Sequence, residues 1–443
     1  RLLVIILDYP QCGFPATVTE DDIRTIFLGP NRDGNGGVAQ KFRQCSYNKF
    51  GLNVTALRVV RVTDNCTTPM SSICAYWAMQ EKADLAVKPI IGLEAFVSFT
   101  HYAYVLPPAL RGNCAWEGLA IIPIGHVMFL QTSVYGLYRW GTIMQEALHD
   151  YGLFHSWRNN MEYEDYSTAM GHGNACPSAA EISRMGWATP ATAGDQLDKD
   201  ELSPAGSPRT FYLPATSLTG NYSFLRVLPN WLNDTYNSPN GKNLYIAFRV
   251  AKNGDEALEA EFASKINVHE VNATMDNGYP KDMYKFTDRK IQFIGATESM
   301  SQMVLDAYKL IVYGGATINT DTMRVHLCRY VTSPVECPAL RMLEDIGVKI
   351  SPPFITPPPS QRPLSPSPPS PLPPSPIPTS PPPPPSPPPP PSFRPPRSSP
   401  PSPRPPRPQP GELTSTPNHV THTHTYIHVH TYIHTSRQAA GRG

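Results

Sequence analysis

The sequence predicts an α/β domain, followed by a β-rich module and a disordered proline-rich tail. Residues 2–8 are apolar and β-branched enough for a buried strand, and Thr19 with Asp22 resembles a capping box before a helix. This alternation of strand and helix indicates a mixed sheet covered by helices. Short alternating runs after Pro190 favour antiparallel strands, and 33 of the 52 prolines fall within residues 351–410.

Elements of the α/β domain follow from local patterns. The helix after Thr19 would bury Ile23, Ile26 and Phe27 on one side. Further helices are predicted over residues 37–47 and 71–84, and strands over residues 52–62 and 92–99. Residues 126–132 are predicted to form the edge strand of the sheet.

Composition divides the chain of 443 residues into four parts. Residues 351–410 contain five arginines and no acidic residue, so they cannot bury a core and should form extended polyproline II. About 350 residues remain to build cores. The predicted parts are 1–190, the α/β domain; 191–350, the β-rich module; 351–410, the polyproline II segment; and 411–443, a low-complexity His/Thr-rich tail.

Charge argues against a nucleic-acid partner. Residues 1–350 hold 30 Lys and Arg against 35 Asp and Glu, although the whole chain has a formal net charge of +1. Basic residues are neither in excess within this part nor clustered with aromatic residues. We therefore expect no nucleic-acid binding.

Cysteines and glycosylation motifs indicate a secreted protein. The eight cysteines are an even number with no close C-x-x-C pair, which predicts disulfides of undetermined pairing. Five N-glycosylation sequons point the same way. The cysteines are Cys12, Cys45, Cys66, Cys74, Cys114, Cys176, Cys328 and Cys337, and the sequons begin at Asn53, Asn65, Asn221, Asn233 and Asn272.

No membrane span is expected, because the chain has no run of eighteen apolar residues. The apolar residues 2–7 are too few for a signal peptide and follow no starter methionine. The sequence is therefore expected to be a fragment or a processed product.

The most informative motif is QEALHDYGLFH at residues 145–155. Residues four apart lie above one another on a helix, so Gln145 and His149 would face one point, with Glu146 beside it. Gly152 can take a positive φ that ends the helix, and His155 can then approach from outside the helix. Gln145, His149 and His155 are thus the candidate metal ligands.

This spacing predicts metal-assisted amide hydrolysis. Three protein ligands leave one position for water, and Glu146 is placed to act as general base on that water. Fifteen residues after His155, Met170 would lie under the metal as the hydrophobic floor known as the Met-turn. Trp157, Tyr163 and Tyr166 are near enough in sequence to shape the pocket or to polarise the substrate carbonyl, and the sequence does not choose among them.

These motifs resemble those of the metzincin metallopeptidases, and more closely those of the gametolysin family of secreted green-algal matrix metalloproteases. The resemblance includes WEGLA at 116–120, the motif at 145–155, Met170 and AAEISRMGW at 179–187. It implies a zincin-like fold and a zinc endopeptidase of the cell wall or extracellular matrix, whose substrates are hydroxyproline-rich glycoproteins. It also implies a propeptide, which this chain lacks, and an edge strand that pairs with substrate.

One position departs from the family motif, because Gln145 stands where the first histidine is usual. An amide oxygen is a weaker donor than imidazole, so zinc affinity should fall, and copper is the second candidate metal. Members with this Gln-Glu-x-x-His form are still classed as metallopeptidases. The alternative hypothesis is an impaired pseudoprotease that serves as a structural or binding glycoprotein of the matrix.

Several further features have ordinary explanations. Cys12 in YPQCGFP resembles a thiolate switch, but a disulfide is favoured; Asp33 and Asn35 resemble a calcium loop, but a surface turn is favoured. The six histidines between residues 419 and 434 either bind transition metals weakly or reflect a translated CA-type repeat. The isolated histidines, expected to be packed or solvated, are His101, His126, His172, His269 and His326.

Overall fold

A computed structural model describes residues 1–65, 73–122, 126–278 and 285–349. The described residues belong to one compact unit. The predicted polyproline II segment and His/Thr-rich tail lie outside them.

Nine α-helices and fifteen strands occur in these residues. The helices are α1 (Glu20–Leu28), α2 (Gly37–Ser46), α3 (Tyr76–Ile91), α4 (Leu93–Val97), α5 (Trp140–His149), α6 (Ala179–Arg184), α7 (Asn233–Tyr236), α8 (Ala273–Gly278) and α9 (Leu340–Lys349). The strands are β1 (Leu2–Asp8), β2 (Arg58–Thr63), β3 (His101–Leu106), β4 (Gly118–Ala120), β5 (Val127–Gln131), β6 (Trp157–Arg158), β7 (Met161–Glu162), β8 (Arg209–Pro214), β9 (Phe224–Val227), β10 (Lys242–Arg249), β11 (Lys265–Asn272), β12 (Gln292–Glu298), β13 (Ser301–Leu305), β14 (Leu310–Asn319) and β15 (Thr322–Arg329).

The first sheet is mixed, as predicted. Its five strands run in the order β2-β1-β3-β5-β4. Strands β1, β2, β3 and β5 are parallel, and β4 pairs with β5 in the antiparallel direction. The prediction that residues 126–132 form the edge strand is wrong, because β5 is flanked by β3 and β4. In the part of the chain that the structure describes, β4 is outermost on that side.

Strand β1 forms the centre of two hydrophobic cores. All seven of its residues are buried, because helices cover both faces of the sheet. Val4 and Ile6 pack on one face with α1, α2 and α5, whereas Leu3 and Ile5 pack on the other face with α3. Successive side chains of a strand point to opposite faces, so one apolar run serves both cores.

Some local predictions are confirmed, and others differ from the structure in their bounds or in the type of element. The capping box of Thr19 and Asp22 is confirmed at the start of α1. Helix α3 runs beyond the predicted end at residue 84 to Ile91, and β2 occupies only the second half of residues 52–62. The predicted strand over 92–99 is wrong, because Leu93–Val97 is helical and β3 begins at His101.

Two further sheets, whose strands are mostly antiparallel, follow along the chain. A six-stranded sheet has the order β7-β6-β12-β11-β10-β9, and a four-stranded sheet has the order β13-β14-β15-β8. Their inward side chains form a shared hydrophobic cluster that includes Leu225, Ile246 and Val312. Strand β6 pairs with β12 in the parallel direction, so the segment directly after His155 is attached to the six-stranded sheet.

Disulfides fix several connections between distant parts of the chain. Bonds join Cys45 to Cys176, Cys74 to Cys114 and Cys328 to Cys337, and Cys12 is also disulfide-bonded. The expectation of paired cysteines, including Cys12, is therefore confirmed. Among the described residues, no helix is long and apolar enough to cross a bilayer.

Candidate active site

Helix α5 positions the centre of the site. Its residues Ile143, Met144 and Leu148 belong to the same hydrophobic core as Val4 and Ile6, which is called the first core below. Every residue from Gly141 to His149 is buried. Helix α5 ends at His149, and the chain turns at Gly152, whose φ is +83°, the positive value that the sequence predicts. A Cβ at Gly152 would lie 2.1 Å from the carbonyl oxygen of Lys285, so glycine is required by backbone conformation and by space.

The structure brings the two motif imidazoles together. The ring centroids of His149 and His155 are 4.8 Å apart, with an angle of 82° between the ring planes. His149 Nδ1 lies 2.6 Å from the carbonyl oxygen of Leu153, and His155 Nδ1 lies 2.8 Å from Oε1 of Glu162. A carbonyl and a carboxylate can only accept, so both Nδ1 atoms carry the proton. In each neutral ring, Nε2 therefore carries the lone pair that can bind a metal.

The side-chain amide of Gln145 is buried and makes no hydrogen bond within the described chain. Its side chain is inaccessible to solvent, and neither its amide oxygen nor its amide nitrogen has a hydrogen-bond partner within the described chain. A buried amide without a partner is costly, because it has lost its hydrogen bonds to water. Such an atom at the first position of the motif is what a metal ligand would look like before the metal is added.

The side chain of Glu146 extends from α5 to the edge strand β4. Its carboxylate accepts a hydrogen bond from the backbone of Ala120, while Oε2 has no partner within the described chain. Burial raises the pKa of Glu146 well above its ordinary value, and the charge of Asp150 adds to this. Burial also raises the pKa of Asp150 to about 8.

Gly118 makes the room that Glu146 occupies. A Cβ at this position would lie 2.5 Å from Oε1 of Glu146 and 2.7 Å from its Cγ. The WEGLA segment contributes to the site through its backbone, since Gly118 provides space and Ala120 provides a donor. Sequence analysis used this segment only as a sign of resemblance, because space for a distant side chain leaves no local pattern.

Met170 lies beneath the segment that carries His155. It is fully buried in the first core, and its carbonyl oxygen accepts a hydrogen bond of 2.8 Å from the backbone of Ser156. The amide of Met170 donates to Oγ1 of Thr168. These bonds fix the turn around Met170 relative to the residue next to His155.

The three aromatic residues named from sequence have different surroundings. The ring centroid of Tyr163 is 3.9 Å from that of His155, whereas Tyr166 packs at 5.4 Å from His172. Trp157 lies beneath the ammonium group of Lys290, at 3.5 Å. Of the three, Tyr163 is the one in ring contact with a motif histidine.

Sequence analysis missed two groups that support the site. Glu162 orients His155, and the only sequence indication is a carboxylate seven residues after that histidine. Asp165 accepts hydrogen bonds from Ser156 at 2.7 Å and from His269 at 3.1 Å. His269 lies in β11, so no local pattern could have paired it with Asp165.

Four of the five isolated histidines fall into two groups. His269 and His326 are buried beside carboxylates, as expected of packed histidines. His101 and His126, in contrast, lie together with Asp150. In the loop that resembled a calcium site, Asp33 accepts from the backbone and side chain of Asn35, as in an ordinary turn.

The residues of the motif fit a divalent transition metal. Two imidazoles offer nitrogen atoms whose tautomers are fixed, and Gln145 adds an amide oxygen without a partner. Glu146 supplies a carboxylate beside them. All four side chains are at most 2% exposed, so the candidate ligands lie inside the described part of the fold.

Comparison with known proteins identifies a peptidase family. The family model described as "Gametolysin peptidase M11" matches residues 1–307. A curated relative, the protein "Autolysin" of Chlamydomonas reinhardtii, is 34% identical over 100 residues. That alignment covers 20% of this chain and 15% of the relative, so the chain spans a small part of the relative's length. No solved structure matches the chain.

The match over residues 1–307 places the chain among the peptidases, and the mixed α/β fold is compatible with a peptidase domain. More particularly, the chain belongs to the gametolysin peptidase M11 family. The resemblance inferred from the motif is thereby confirmed.

Proposed function

We propose that this protein is a secreted, metal-dependent endopeptidase, with Glu146 as general base and Gln145, His149 and His155 as metal ligands. One observation carries the proposal: the buried amide of Gln145, without a hydrogen-bond partner, lies on the same helix as a buried carboxylate and one of two adjoining imidazoles. The membership of the peptidase family supports it.

Each residue of the proposed site has a defined role. A bound Zn²⁺, or Cu²⁺ as second candidate, would polarise a peptide carbonyl and make water more acidic. Glu146 accepts a proton from the attacking water, and its carboxylate is held for this by Ala120. Glu162 keeps the proton of His155 on Nδ1, and Leu153 does the same for His149. Met170 fixes the chain next to His155.

The proposed substrates are hydroxyproline-rich glycoproteins of the cell wall or extracellular matrix. Support comes from the family and from the name of the curated relative, "Autolysin". The disulfides fit an extracellular location, because such bonds persist in oxidising compartments. Four of the five sequon asparagines are exposed, and Asn272 is half-buried. The proline-rich segment is proposed to anchor the enzyme in the matrix.

Catalysis is assigned to residues 1–190, and residues 191–350 are proposed to stabilise the catalytic part. The pairing of β6 with β12 supports this assignment, as does the contact between Asp165 and His269. Both attach the chain beside His155 to the six-stranded sheet.

The test uses the full chain and three variants. Metal content and cleavage of a purified hydroxyproline-rich wall glycoprotein are measured for the wild type, Glu146→Gln, Gln145→His and Glu94→Gln. Glu94 is an exposed residue of α4 and provides the matched control. We expect the same metal content in all four proteins, loss of cleavage only in Glu146→Gln, and a higher zinc affinity in Gln145→His.

The alternative is a pseudoprotease that binds matrix glycoproteins without cleaving them. Gln145 favours it, because an amide is a weaker metal ligand than imidazole. A folded wild type that cleaves nothing, but gains one bound metal ion and cleavage in Gln145→His, would establish this alternative. Cleavage that persists in Glu146→Gln would remove Glu146 from its proposed role.

A further inference from the structure

A second group of potential metal ligands lies at the other side of the end of α5. It consists of His101 at the start of β3, His126 before β5 and Asp150 directly after α5, and it is called the second cluster below. One ligand atom from each residue lies within 4.8 Å of the others. None of the three belongs to the proposed active-site ligands.

Asp150 is the most unusual member of the second cluster. Its side chain is buried, with 7% exposure, and neither carboxylate oxygen has a hydrogen-bond partner among the described residues. It also follows the last residue of α5, where the helix dipole places partial negative charge. Burial, missing donors and the dipole all oppose a negative charge at this position. A bound cation would offset all three.

His101 has a fixed tautomer. Its Nδ1 lies 3.0 Å from Oγ1 of Thr100, and that hydroxyl donates its own proton to the carbonyl of Arg1. Nδ1 must therefore donate to Thr100, which leaves the lone pair on Nε2. The hydroxyl of Tyr151 lies 3.1 Å from Nε2 and donates to it. Burial, with the nearby His126, lowers the pKa of His101 to about 4, so the ring is neutral at neutral pH.

His126 completes the group from the solvent side. Its ring centroid is 4.7 Å from that of His101, and its carbonyl accepts a hydrogen bond from the backbone of Tyr102. The backbone of His126 has a φ of +50°, an uncommon conformation for a residue other than glycine. The side chain is exposed, and His101 lines a cavity of about 290 Å³. An ion can therefore reach the second cluster from solvent.

We propose that His101, His126 and Asp150 form a second binding site, for a divalent transition-metal ion of the Zn²⁺ type. Two imidazole nitrogens and one carboxylate oxygen are ordinary zinc donors, whereas Ca²⁺ prefers oxygen ligands alone. Donor atoms around a tetrahedral zinc are about 3.3 Å apart, so small side-chain rotations would close the 4.8 Å cluster. The fourth position is left to water.

This site would join three elements of the catalytic domain. His101 belongs to β3, His126 precedes β5 and Asp150 follows α5. The bound ion would hold the end of the active-site helix to the parallel sheet. The role is structural, and it does not depend on whether Gln145 permits catalysis.

The test is zinc stoichiometry of the full chain. Four proteins are first stripped of metal: the wild type, Asp150→Asn, His126→Asn and Asp33→Asn. Each is equilibrated with zinc at the same low free zinc concentration, and the bound zinc is measured by mass spectrometry. We expect Asp150→Asn and His126→Asn each to lose one zinc, and a variant that carries both substitutions, measured alongside them, to lose no more than either. Asp33→Asn replaces an exposed carboxylate and should match the wild type. The histidine-rich tail is present in every variant, so its contribution cancels.

Two further variants sharpen the result. His155→Asn should lose a different zinc, so its loss adds to that of Asp150→Asn; this separates the second cluster from the proposed active site. Tyr151→Phe removes the hydroxyl that occupies Nε2 of His101, so it should tighten zinc binding at the second cluster.

The proposal is overturned if Asp150→Asn and His126→Asn both bind as much zinc as the wild type. Asp150→Asn keeps the side-chain shape, and His126 is exposed, so both variants should fold. If His155→Asn alone retains its full zinc content while the cluster variants lose theirs, the proposed active-site ligands fail and the second site stands.

Discussion

The carboxylate of Asp165 lies 3.1 Å from Nε2 of His269, across 104 positions of sequence. The same carboxylate accepts from Oγ of Ser156, the residue after His155. The buried side chain of Asp165 thus connects strand β11 of the six-stranded sheet to the residue next to His155, a proposed metal ligand. The geometry of the active site therefore depends on residues far outside the motif.

Replacing Asp165 by Asn should lower the free energy of unfolding by about 3 kcal/mol at pH 7, because it removes a buried carboxylate that accepts hydrogen bonds from Ser156, Ser167 and His269. Burial alone would raise the pKa of Asp165, but hydrogen bonding and charge from His269 and bonds from two serines hold it below its ordinary value. The stability gained from this group is complete above about pH 4, the unfolded pKa, and is lost as pH falls through the lower folded value.

Urea denaturation of the wild type and of Asp165→Asn at pH 7 and at pH 3 measures this effect. The difference between the two proteins should be largest at pH 7 and should shrink at pH 3. Asp33→Asn, at an exposed position, should show little difference at pH 7. An unchanged difference at both values of pH would exclude a titrating Asp165 as its source.

Gly118→Ala should reduce kcat/KM by about 100-fold, since displacement of a catalytic group by about 1 Å has an effect of this size. The added Cβ would lie within 2.5 Å of Oε1 of Glu146, so the carboxylate must move. Gly112→Ala is the control, because a Cβ there meets no atom within 4 Å. Steady-state hydrolysis by the two variants measures this effect. Equal kcat/KM values would show that the Glu146 carboxylate can move away from the added Cβ without loss of activity.

Glu162→Gln should weaken metal binding by about 10-fold to 100-fold, the range typical of groups that orient a histidine ligand. The amide can still accept from His155 Nδ1, but it lacks the charge that makes the imidazole a better donor. Competition with a chelating dye gives the zinc affinity. Glu164→Gln serves as the control, and equal affinities for the two variants would mean that Glu162 does not tune His155.

Loss of the bond between Cys45 and Cys176 should destabilise the protein more than loss of the bond between Cys328 and Cys337. The first closes a loop with a sequence separation of 131, and the second a loop with a separation of 9. Chain entropy predicts a difference of about 2 kcal/mol in the free energy of unfolding. Denaturation of the two double Cys→Ser variants measures it. A larger loss from the short loop would indicate that native packing dominates.

Much of the site could be predicted because its geometry is local. Gln145, Glu146 and His149 are related by helix periodicity, and Gly152 turns the chain after that helix with the positive φ that glycine allows. The apolar run at residues 2–8 and the capping box of α1 are short-range patterns as well. The run over residues 92–99 misled because a short apolar segment fits a strand or a helix equally well.

The sequence by itself determined the peptidase motif, the parts of the chain able to build a core and the presence of disulfides. Only the tertiary structure decided which strand lies at the edge of the sheet, which cysteines pair, and that Asp165 meets His269. It also brought His101 and His126 to Asp150. These contacts join residues that are distant along the chain, and they are set by how helices and strands pack, which periodicity within one segment does not specify.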